Sequence, residues 1–517
     1  MAWTIALLAA ISPLWVGRDL PLVDLPQHLF VLTIQSRLHD ATTLFPRFFE
    51  PRPGLTPYLG YYWTVGLLGR VLPLELANRL FLSAYVASFP LALGFLLRSL
   101  RRPAWPALLA VPFAYGDCFG WGFLNYCAAL PLTFLSLGLF LRALTDASRR
   151  ILWAALLATS LLVGLAFHPV PVAYLALALP FLLLTTRVPE DRTTRGLPAR
   201  LRSRAPALAG VLPWVLVATV WIVTLVGQPA PGQAGAPRLA PGPALSREDL
   251  EFETLGHNLG AFPGLLANLM QDGSDQWGLR VSLIVAALAV LAGLVKRRFA
   301  HRHGETWYEG ARPVGLCAAA FGLYLALPLN LQPHIQYLNL RFAPLAAALA
   351  AGLLPRLEPR AGRVFLWLAV ASSLAIGLSL SRGFVAFDHE AQTLRALVPA
   401  TGPRPVIMGL MFDRHSRVVS HPVFLHSAAV LARERGGIPD YCLAGWRQAP
   451  VQYRATPPPP LANGWLPQLF DYSTQGAAYD HFLLRGVRPE RLFGARLGGE
   501  LYVAAQSGDF WLVRRRQ

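Results

Sequence analysis

Long apolar stretches, separated by short polar segments, occupy most of the chain up to residue 380. Several of them are shorter than the roughly 20 residues that a helix needs to cross a bilayer. They are residues 2–16, 77–97, 105–115, 122–141, 151–167, 170–185, 207–227, 279–295, 313–329, 342–354 and 364–380. The pattern predicts a polytopic α-helical membrane protein with about 11 transmembrane helices.

The segment after the first apolar stretch has a different pattern. It reads GRDLPLVDLPQHLFVLTIQSRLHD from Gly17 to Asp40, and its apolar residues recur at helical spacing. The spacing predicts an amphipathic helix on the membrane surface. Asp24 and His28 are four residues apart, so they share one face of this helix, and we expect both to be turned toward water.

Residues 56–72, TPYLGYYWTVGLLGRVL, form a further apolar stretch that does not fit the alternation of the others. We interpret it as a helix at the membrane surface, within a first loop that extends over residues 17–76. An ordinary transmembrane span, with a misassigned partner elsewhere, is the alternative.

After Ser381 the apolar runs shorten and polar residues increase. Residues 383–517, called the tail below, are long enough for a separate small domain after a transmembrane domain of residues 1–382. We predict helices at residues 387–397 and 422–433 and strands at residues 405–411, 479–484 and 500–513. The predicted fold class is therefore a polytopic helical membrane protein with a C-terminal α/β domain.

Composition supports a membrane protein. Of the 517 residues 54% are hydrophobic and 14% are charged, and the mean hydropathy is +0.42. The net charge of +18 would fit a nucleic-acid partner, but many of the arginines lie in short loops beside apolar stretches, which is how membrane topology is set. We therefore expect membrane lipids, and no nucleic acid, as partners.

Positive charge alternates between the loops. The basic loops contain Arg98, Arg101 and Arg102; Arg149 and Arg150; Arg187, Arg192, Arg195, Arg200, Arg202 and Arg204; Lys296, Arg297, Arg298 and Arg302; and Arg356, Arg360 and Arg363. The long loop of residues 228–278 is rich in Pro and Gly at its start and acidic later. The positive-inside rule predicts a cytoplasmic N-terminus and an outer tail, which is periplasmic in a bacterial inner membrane.

Asp24 and His28 are the first candidates for chemistry. A carboxylate just after a span can act as a general base toward a hydroxyl or hold a divalent cation, and a histidine one turn later can assist either role. The alternative is that Asp24 caps the helix that begins at Leu25 or Pro26.

Asp117 is the second candidate. It is the only residue with a formal charge in the turn GDCFGWGFLN, residues 116–125, which lies between two apolar stretches. An ionisable group at such depth is costly unless it is paired, metal-bound or exposed to water, so it is a candidate functional residue. A solvated turn residue is the alternative. We expect Asn125, inside the next helix, to form an interhelical hydrogen bond.

Three basic groups complete the candidate set. His168 lies in AFHPVP, and His334 and Arg341 lie in LQPHIQYLNLRFAP. A guanidinium at Arg341 is suited to a lipid phosphate or pyrophosphate, and its alternatives are snorkelling to lipid head groups or an ion pair within the protein. Both histidines also fit buried interface positions.

All six residues fall on the outer side in this topology. The middle of the predicted spans contains hardly any acidic residue, which argues against an ion-coupled transporter. Chemistry or binding at the outer interface is favoured instead.

This layout resembles the GT-C superfamily of integral-membrane glycosyltransferases, which includes oligosaccharyltransferase catalytic subunits, protein mannosyltransferases and lipid A aminoarabinose transferases. Asp24 in VDLPQH is similar to the first-loop acid of these families, and residues 56–72 look like their surface helix. Asp117 is similar to their second-loop acid, and Arg341 in LNLRFAP to the arginine that meets the donor phosphate.

The resemblance implies a polyprenyl-phosphate-linked sugar as donor and an inverting transfer. Asp24 would accept the proton of the acceptor hydroxyl, and Arg341 would stabilise the departing lipid phosphate. His168, His334 and Asp117 would contact substrate, and Asp24 and Asp117 are candidate ligands for Mg²⁺ or Mn²⁺. A non-enzymatic membrane assembly protein that acts through its tail is the alternative function.

Overall fold

The computed structural model describes residues 1–54, 56–188, 197–226, 250–295, 307–331, 336–446, 448–461 and 463–516. The described chain is mostly helical. Its α-helices are α1 Ala2–Ile11, α2 Leu25–Ser36, α3 Phe45–Phe48, α4 Gly60–Leu68, α5 Leu74–Ser99, α6 Asp117–Gly120, α7 Leu124–Thr145, α8 Arg150–Phe167, α9 Val170–Thr185, α10 Leu197–Val226, α11 Leu255–Leu266, α12 Ser274–Val295, α13 Trp307–Ala326, α14 Phe342–Ala350, α15 Pro359–Arg395, α16 Ser427–Arg435, α17 Tyr472–Gln475 and α18 Pro489–Phe493. The strands are β1 Phe49–Pro51, β2 Leu250–Glu251, β3 Asn330–Leu331, β4 Val406–Met411, β5 Ile438–Pro439, β6 Val451–Tyr453, β7 His481–Arg485, β8 Leu501–Ser507 and β9 Phe510–Arg515.

Within the described residues, six helices are long and apolar enough to cross a membrane. They are Leu74–Ser99, Leu124–Thr145, Ala147–Phe167, Arg202–Thr224, Ser274–Val295 and Pro359–Arg395. Each corresponds to one of the eleven predicted stretches. The class of multi-pass membrane protein is therefore confirmed, whereas the number of about 11 spans stays a prediction.

Several other predicted spans are short helices. Trp105–Tyr115 is a 3₁₀ helix of 11 residues that contains Pro112. A 3₁₀ helix rises by about 2 Å per residue, so this segment reaches farther than an α-helix of the same length would. Ala2–Trp15, Val170–Thr185 and Asn339–Leu353 are also shorter than a typical transmembrane helix.

Helix α4 buries one face against the protein and leaves Trp63 and Leu67 exposed on the other. It contains nine residues, which at 1.5 Å per residue is too short to cross a bilayer. Tyr61 is fully buried, its backbone N–H donates to Asn125 Oδ1 (2.9 Å), and its hydroxyl donates to Asn78 Oδ1 (2.8 Å). The expected interhelical hydrogen bond of Asn125 is thus confirmed, and it ties the first loop to α7.

Helix α15 continues without a break past the predicted domain boundary at residue 383. It spans 37 residues, so the predicted helix at 387–397 is its last part. The sequence changes composition at Ser381 because the helix leaves its apolar surroundings there, although its backbone stays helical. Asp388 on this extension accepts hydrogen bonds from the backbone N–H groups of Arg18 and Asp19, both at 2.9 Å. The end of α15 therefore holds the start of the first loop.

The tail contains a five-stranded sheet in the order β5-β4-β7-β9-β8. Strand β4 pairs in parallel with β5 and β7, whereas β7–β9 and β9–β8 are antiparallel. The predicted strands at 405–411 and 479–484 are confirmed. The predicted strand at 500–513 is the hairpin of β8 and β9, which turns at Gly508 with φ of +55°. The predicted helix at 422–433 is shorter and begins at Ser427.

The tail packs directly on the first loop. Strands β1 and β6 pair in antiparallel register, with Phe49 opposite Tyr453. Gln27 is buried on α2, its amide N–H donates to the Tyr441 carbonyl (2.9 Å), and its Oε1 accepts from the Leu443 N–H (3.3 Å). Helix α2 is therefore enclosed by protein, and the expectation that it lies on the membrane surface is wrong, because the tail covers its other face.

Candidate functional site

The turn of residues 116–125, called the second loop, lies against the start of α2. The backbone N–H groups of Val23 and Asp24 donate to the carbonyls of Gly120 (3.0 Å) and Trp121 (3.1 Å). Gly122 has φ of +83°, and a Cβ there would lie 3.0 Å from the Asp24 nitrogen. Glycine is needed at this position for both its backbone conformation and the close approach. The two loops that carry the two candidate acids are thus joined along their backbones.

Asp24 does not cap α2. Its backbone is helical (φ −86°, ψ −6°), and its carboxylate makes no capping hydrogen bond, whereas an N-cap residue normally has extended backbone. Its Oδ1 instead lies 3.3 Å from Nε2 of His426 in the tail, and the side chain is 27% exposed. The carboxylate is therefore paired by the tail and still partly open to a ligand.

His28 lies one turn after Asp24 but does not face water. Its side chain is buried, its Nδ1 lies 2.8 Å from the Tyr62 hydroxyl, and its ring packs edge-on against Tyr61. Burial lowers the pKa of His28, and the nearby Asp24 carboxylate opposes this change. His28 is thus part of a buried polar network between α2 and α4, and the expectation that it shares a solvent-facing surface with Asp24 is wrong.

Asp117 begins the short helix α6, and its carboxylate is paired. Its Oδ1 lies 3.0 Å from Nε2 of His421, another tail residue, whose side chain is 4% exposed. The His421 ring covers Gly120 so closely that a Cβ there would lie 2.5 Å from the ring. Asp117 is therefore not a freely solvated turn residue.

Arg341 is buried at the end of the 3₁₀ helix Asn339–Arg341. Its guanidinium donates to the carbonyls of Tyr337 (3.2 Å) and Gln336 (3.1 Å) and to Nε2 of His168 (2.6 Å). Among the residues that the structure describes, no carboxylate forms an ion pair with it. The residues that the structure describes use three of its five N–H donors, which leaves two for an anionic ligand.

His168 supports Arg341. It is buried after α8, and its pKa is lowered well below the ordinary value by burial and by the neighbouring guanidinium. A neutral ring can accept the hydrogen bond from Arg341, whereas a protonated ring would repel it. His334, the remaining candidate, lies outside the described residues.

Aromatic rings connect the acids to Arg341. Trp121 stacks on Tyr337 (centroids 5.2 Å apart), and Trp465 of the tail packs edge-on against Trp121 (6.1 Å). Phe123 lies 4.5 Å from the Arg341 guanidinium carbon. Burial raises the pKa of Tyr337, and the charges of Asp117 and Asp24 raise it further, so this ring lies within electrostatic range of both carboxylates.

The structure thus brings Asp24, Asp117, His168 and Arg341 around the second loop. Sequence reasoning missed His421 and His426, because they pair with acids in distant loops; His421 is 304 residues from its partner. The only signal was two histidines close together in SHPVFLHS, residues 420–427.

The predicted metal site has limited support. Among the described residues, no group of three or more His, Cys, Asp or Glu side chains is arranged to hold a metal ion. Both acids have a histidine partner instead. Metal binding by Asp24 and Asp117 stays a prediction.

A cavity of about 280 Å³ lies beside the site, between the first loop, α5, α15 and α16. Leu25 and Pro26 contribute to its wall, but Asp24, Asp117 and Arg341 do not. Its walls combine apolar side chains with the charged residues Arg18, Asp19, Glu75, Arg79, Arg395, Arg433 and Glu434. This cavity is separate from the residues that surround the second loop.

No protein-family model and no curated protein sequence matches the chain. The predicted resemblance is confirmed at the level of the fold, because the chain matches a solved structure over almost its whole length. In particular, the chain is similar to the crystal structure of ArnT from Cupriavidus metallidurans in the apo state, with a TM-score of 0.50 over 99% of this chain and 96% of that chain. The sequence identity is 12%.

Proposed function

We propose that this protein is a membrane glycosyltransferase that moves a sugar from a polyprenyl-phosphate donor to a hydroxyl of a periplasmic or lipid-linked acceptor. The fold supports this proposal, since ArnT is an aminoarabinose transferase of the GT-C type. The observation that carries it is that a partly exposed Asp24 and a buried Arg341 both contact the second loop, Asp24 at Trp121 and Arg341 at Phe123. A base and a phosphate-binding cation are the two groups that such a transfer needs.

In the proposed reaction, Asp24 acts as the general base. The acceptor oxygen attacks the anomeric carbon of the sugar, and a new carbon–oxygen bond forms as the bond to the lipid phosphate breaks. The acceptor proton passes to Asp24, and the bonding electron pair leaves with the lipid phosphate. Attack from the face opposite the leaving group inverts the anomeric configuration.

Arg341 stabilises the leaving phosphate in this proposal. Its guanidinium is fixed by two carbonyls and by His168, so it is preorganised before the charge develops. Asp117 contacts the substrate from the other side of the second loop. His28 acts indirectly, because its Nδ1 already contacts Tyr62, and it keeps α2 in place behind Asp24.

Replacing Asp24 with Asn tests this function. Asparagine has nearly the same shape but cannot accept the proton, so we expect product formation to fall by at least about 100-fold. The readout is mass spectrometry of lipid and envelope glycans from a deletion strain complemented with each variant. Asp509→Asn is the matched control, because Asp509 forms an exposed surface pair with Arg417 and should be replaceable without effect.

Wild-type product levels in the Asp24→Asn strain would refute the catalytic role of Asp24. If Asp117→Asn were silent as well, a non-enzymatic assembly function would explain the chain better. Deleting the tail does not separate the two functions, because the tail contacts both acids and its loss is expected to abolish either one.

A further inference from the structure

Two histidines of one tail segment each contact one of the two candidate acids. The segment of residues 420–427, called the histidine segment, carries His421 and His426. His421 Nε2 lies 3.0 Å from Asp117 Oδ1, and His426 Nε2 lies 3.3 Å from Asp24 Oδ1. The two acids belong to different loops, so one short segment contacts both candidate acids.

Each histidine ring is held in a fixed orientation. His421 packs closely against Gly120 and meets Trp121 edge to face, with ring centroids 5.6 Å apart. His426 stacks on Tyr441 with centroids 5.3 Å apart and an angle of 13° between the rings. A ring that packing holds in one orientation can in turn hold the carboxylate it contacts in one orientation.

The backbone of the histidine segment is also anchored. The Ser420 N–H donates to the Leu269 carbonyl (3.0 Å), and the Phe424 N–H donates to the Arg414 carbonyl (3.1 Å). Helix α16 begins at Ser427, the last residue of the segment, and packs on α2. A displacement of the segment would therefore disturb several other contacts.

Both histidines contact only Oδ1 of their acid. Among the described residues, no hydrogen bond to Oδ2 of Asp24 or Asp117 is present, so the second oxygen of each carboxylate is available to a ligand. We infer that His426 and His421 are positioning residues that aim these free oxygens at the substrate, so that the tail completes the active site. This inference rests on the proposed glycosyltransferase function and adds two residues to it.

Two substitutions of His426 distinguish the contribution of its ring N–H from the contribution of its stacking on Tyr441. His426→Phe keeps a flat ring on Tyr441 but removes the N–H donor, and we expect at least about tenfold less glycan product in the complemented deletion strain. His426→Gln places an amide N–H at a similar reach, and we expect it to recover product to within about threefold of wild type. His415→Phe, at an exposed tail position, is the matched control.

Thermal unfolding of each purified full-length variant in detergent accompanies the assay. Wild-type product in His426→Phe, while Asp24→Asn is inactive, would overturn this inference and leave the proposed function intact. Equal losses in the Phe and Gln variants would overturn it too, because the donor would then not matter. Full activity in Asp24→Asn would instead refute the proposed function itself.

Discussion

The Asp24 carboxylate has a different role in the folded chain from the one that its local sequence predicts. The local sequence offers a helix cap, with Pro26 in the first turn of α2. In the folded chain the carboxylate contacts His426, which belongs to the tail. The same holds for His28, whose helical spacing from Asp24 was clear, whereas its burial against Tyr61 and Tyr62 depends on α4.

Asp440 is a half-buried acid close to this site. Its Oδ1 accepts the Gly409 N–H (3.1 Å), and burial raises its pKa to about 6, with the nearby His426 among the opposing influences. Because this folded value lies above the ordinary one of 3.8, the folded protein binds a proton between these two pH values. Asp440 therefore destabilises the fold increasingly as the pH rises from about 4 to about 6, and this cost remains at higher pH.

We predict that Asp440→Asn raises the thermal midpoint at pH 7.5 and has less effect near pH 4. A shift of about two pKa units corresponds to at most about 3 kcal/mol, and partial exposure of Asp440 reduces this figure. The measurement is thermal unfolding of both proteins across pH 4–8. A difference between them that does not change with pH would contradict the prediction.

At the scale of elements, α15 shows both the strength and the limit of sequence patterns. Its apolar part was predicted at residues 364–380, and the structure confirms a helix there. The polar composition after Ser381 predicts a domain boundary at residue 383, but α15 extends past it to Arg395. The helix continues because its polar part packs against the first loop and the tail, through Asp388 and Glu390.

Arg485 of β7 joins α15 to the tail sheet. It is 2% exposed, its Nη2 lies 3.3 Å from Glu390 Oε1, and its Nη1 donates to the carbonyls of Asp413 and His415. We predict that Arg485→Met destabilises the protein by about 3 kcal/mol, because it leaves buried acceptors without their donor.

The measurement is denaturant unfolding in detergent, with hydrogen exchange along β4 and β7 as a local readout. Arg417→Met is the control, because Arg417 pairs with Asp509 at the surface and its loss should cost less than about 1 kcal/mol. Equal destabilisation by both substitutions would show that Arg485 does not link the two parts.

At the scale of the whole molecule, the contact of Asp24 with His426 places the first loop and the tail on the same side of the membrane. The chain must therefore cross an even number of times between them. The arginine alternation predicts one crossing before the first loop and ten crossings between the first loop and the tail. Ten is an even number, so the prediction agrees with the contact.

We predict accordingly that the N-terminus is cytoplasmic and the tail periplasmic. In spheroplasts of a Gram-negative host, external protease should digest an epitope fused after Gln517 and spare one fused before Met1 until the membrane is broken. Protection of the C-terminal epitope would contradict the predicted orientation. Because Asp24 contacts His426, the first loop would then lie on the protected side as well.

The membrane class, six helices long and apolar enough to cross a membrane, the main strands of the tail, and the candidates Asp24, Asp117, His168 and Arg341 were all predictable from the amino-acid pattern. These features follow from hydrophobic periodicity and isolated charges, which are local and can be read from neighbouring residues. The pairing of His421 and His426 with the two acids, the burial of His28 and the extension of α15 into the tail became visible in the folded chain. Such contacts join residues hundreds of positions apart, and packing of the whole chain, rather than any local pattern, selects them.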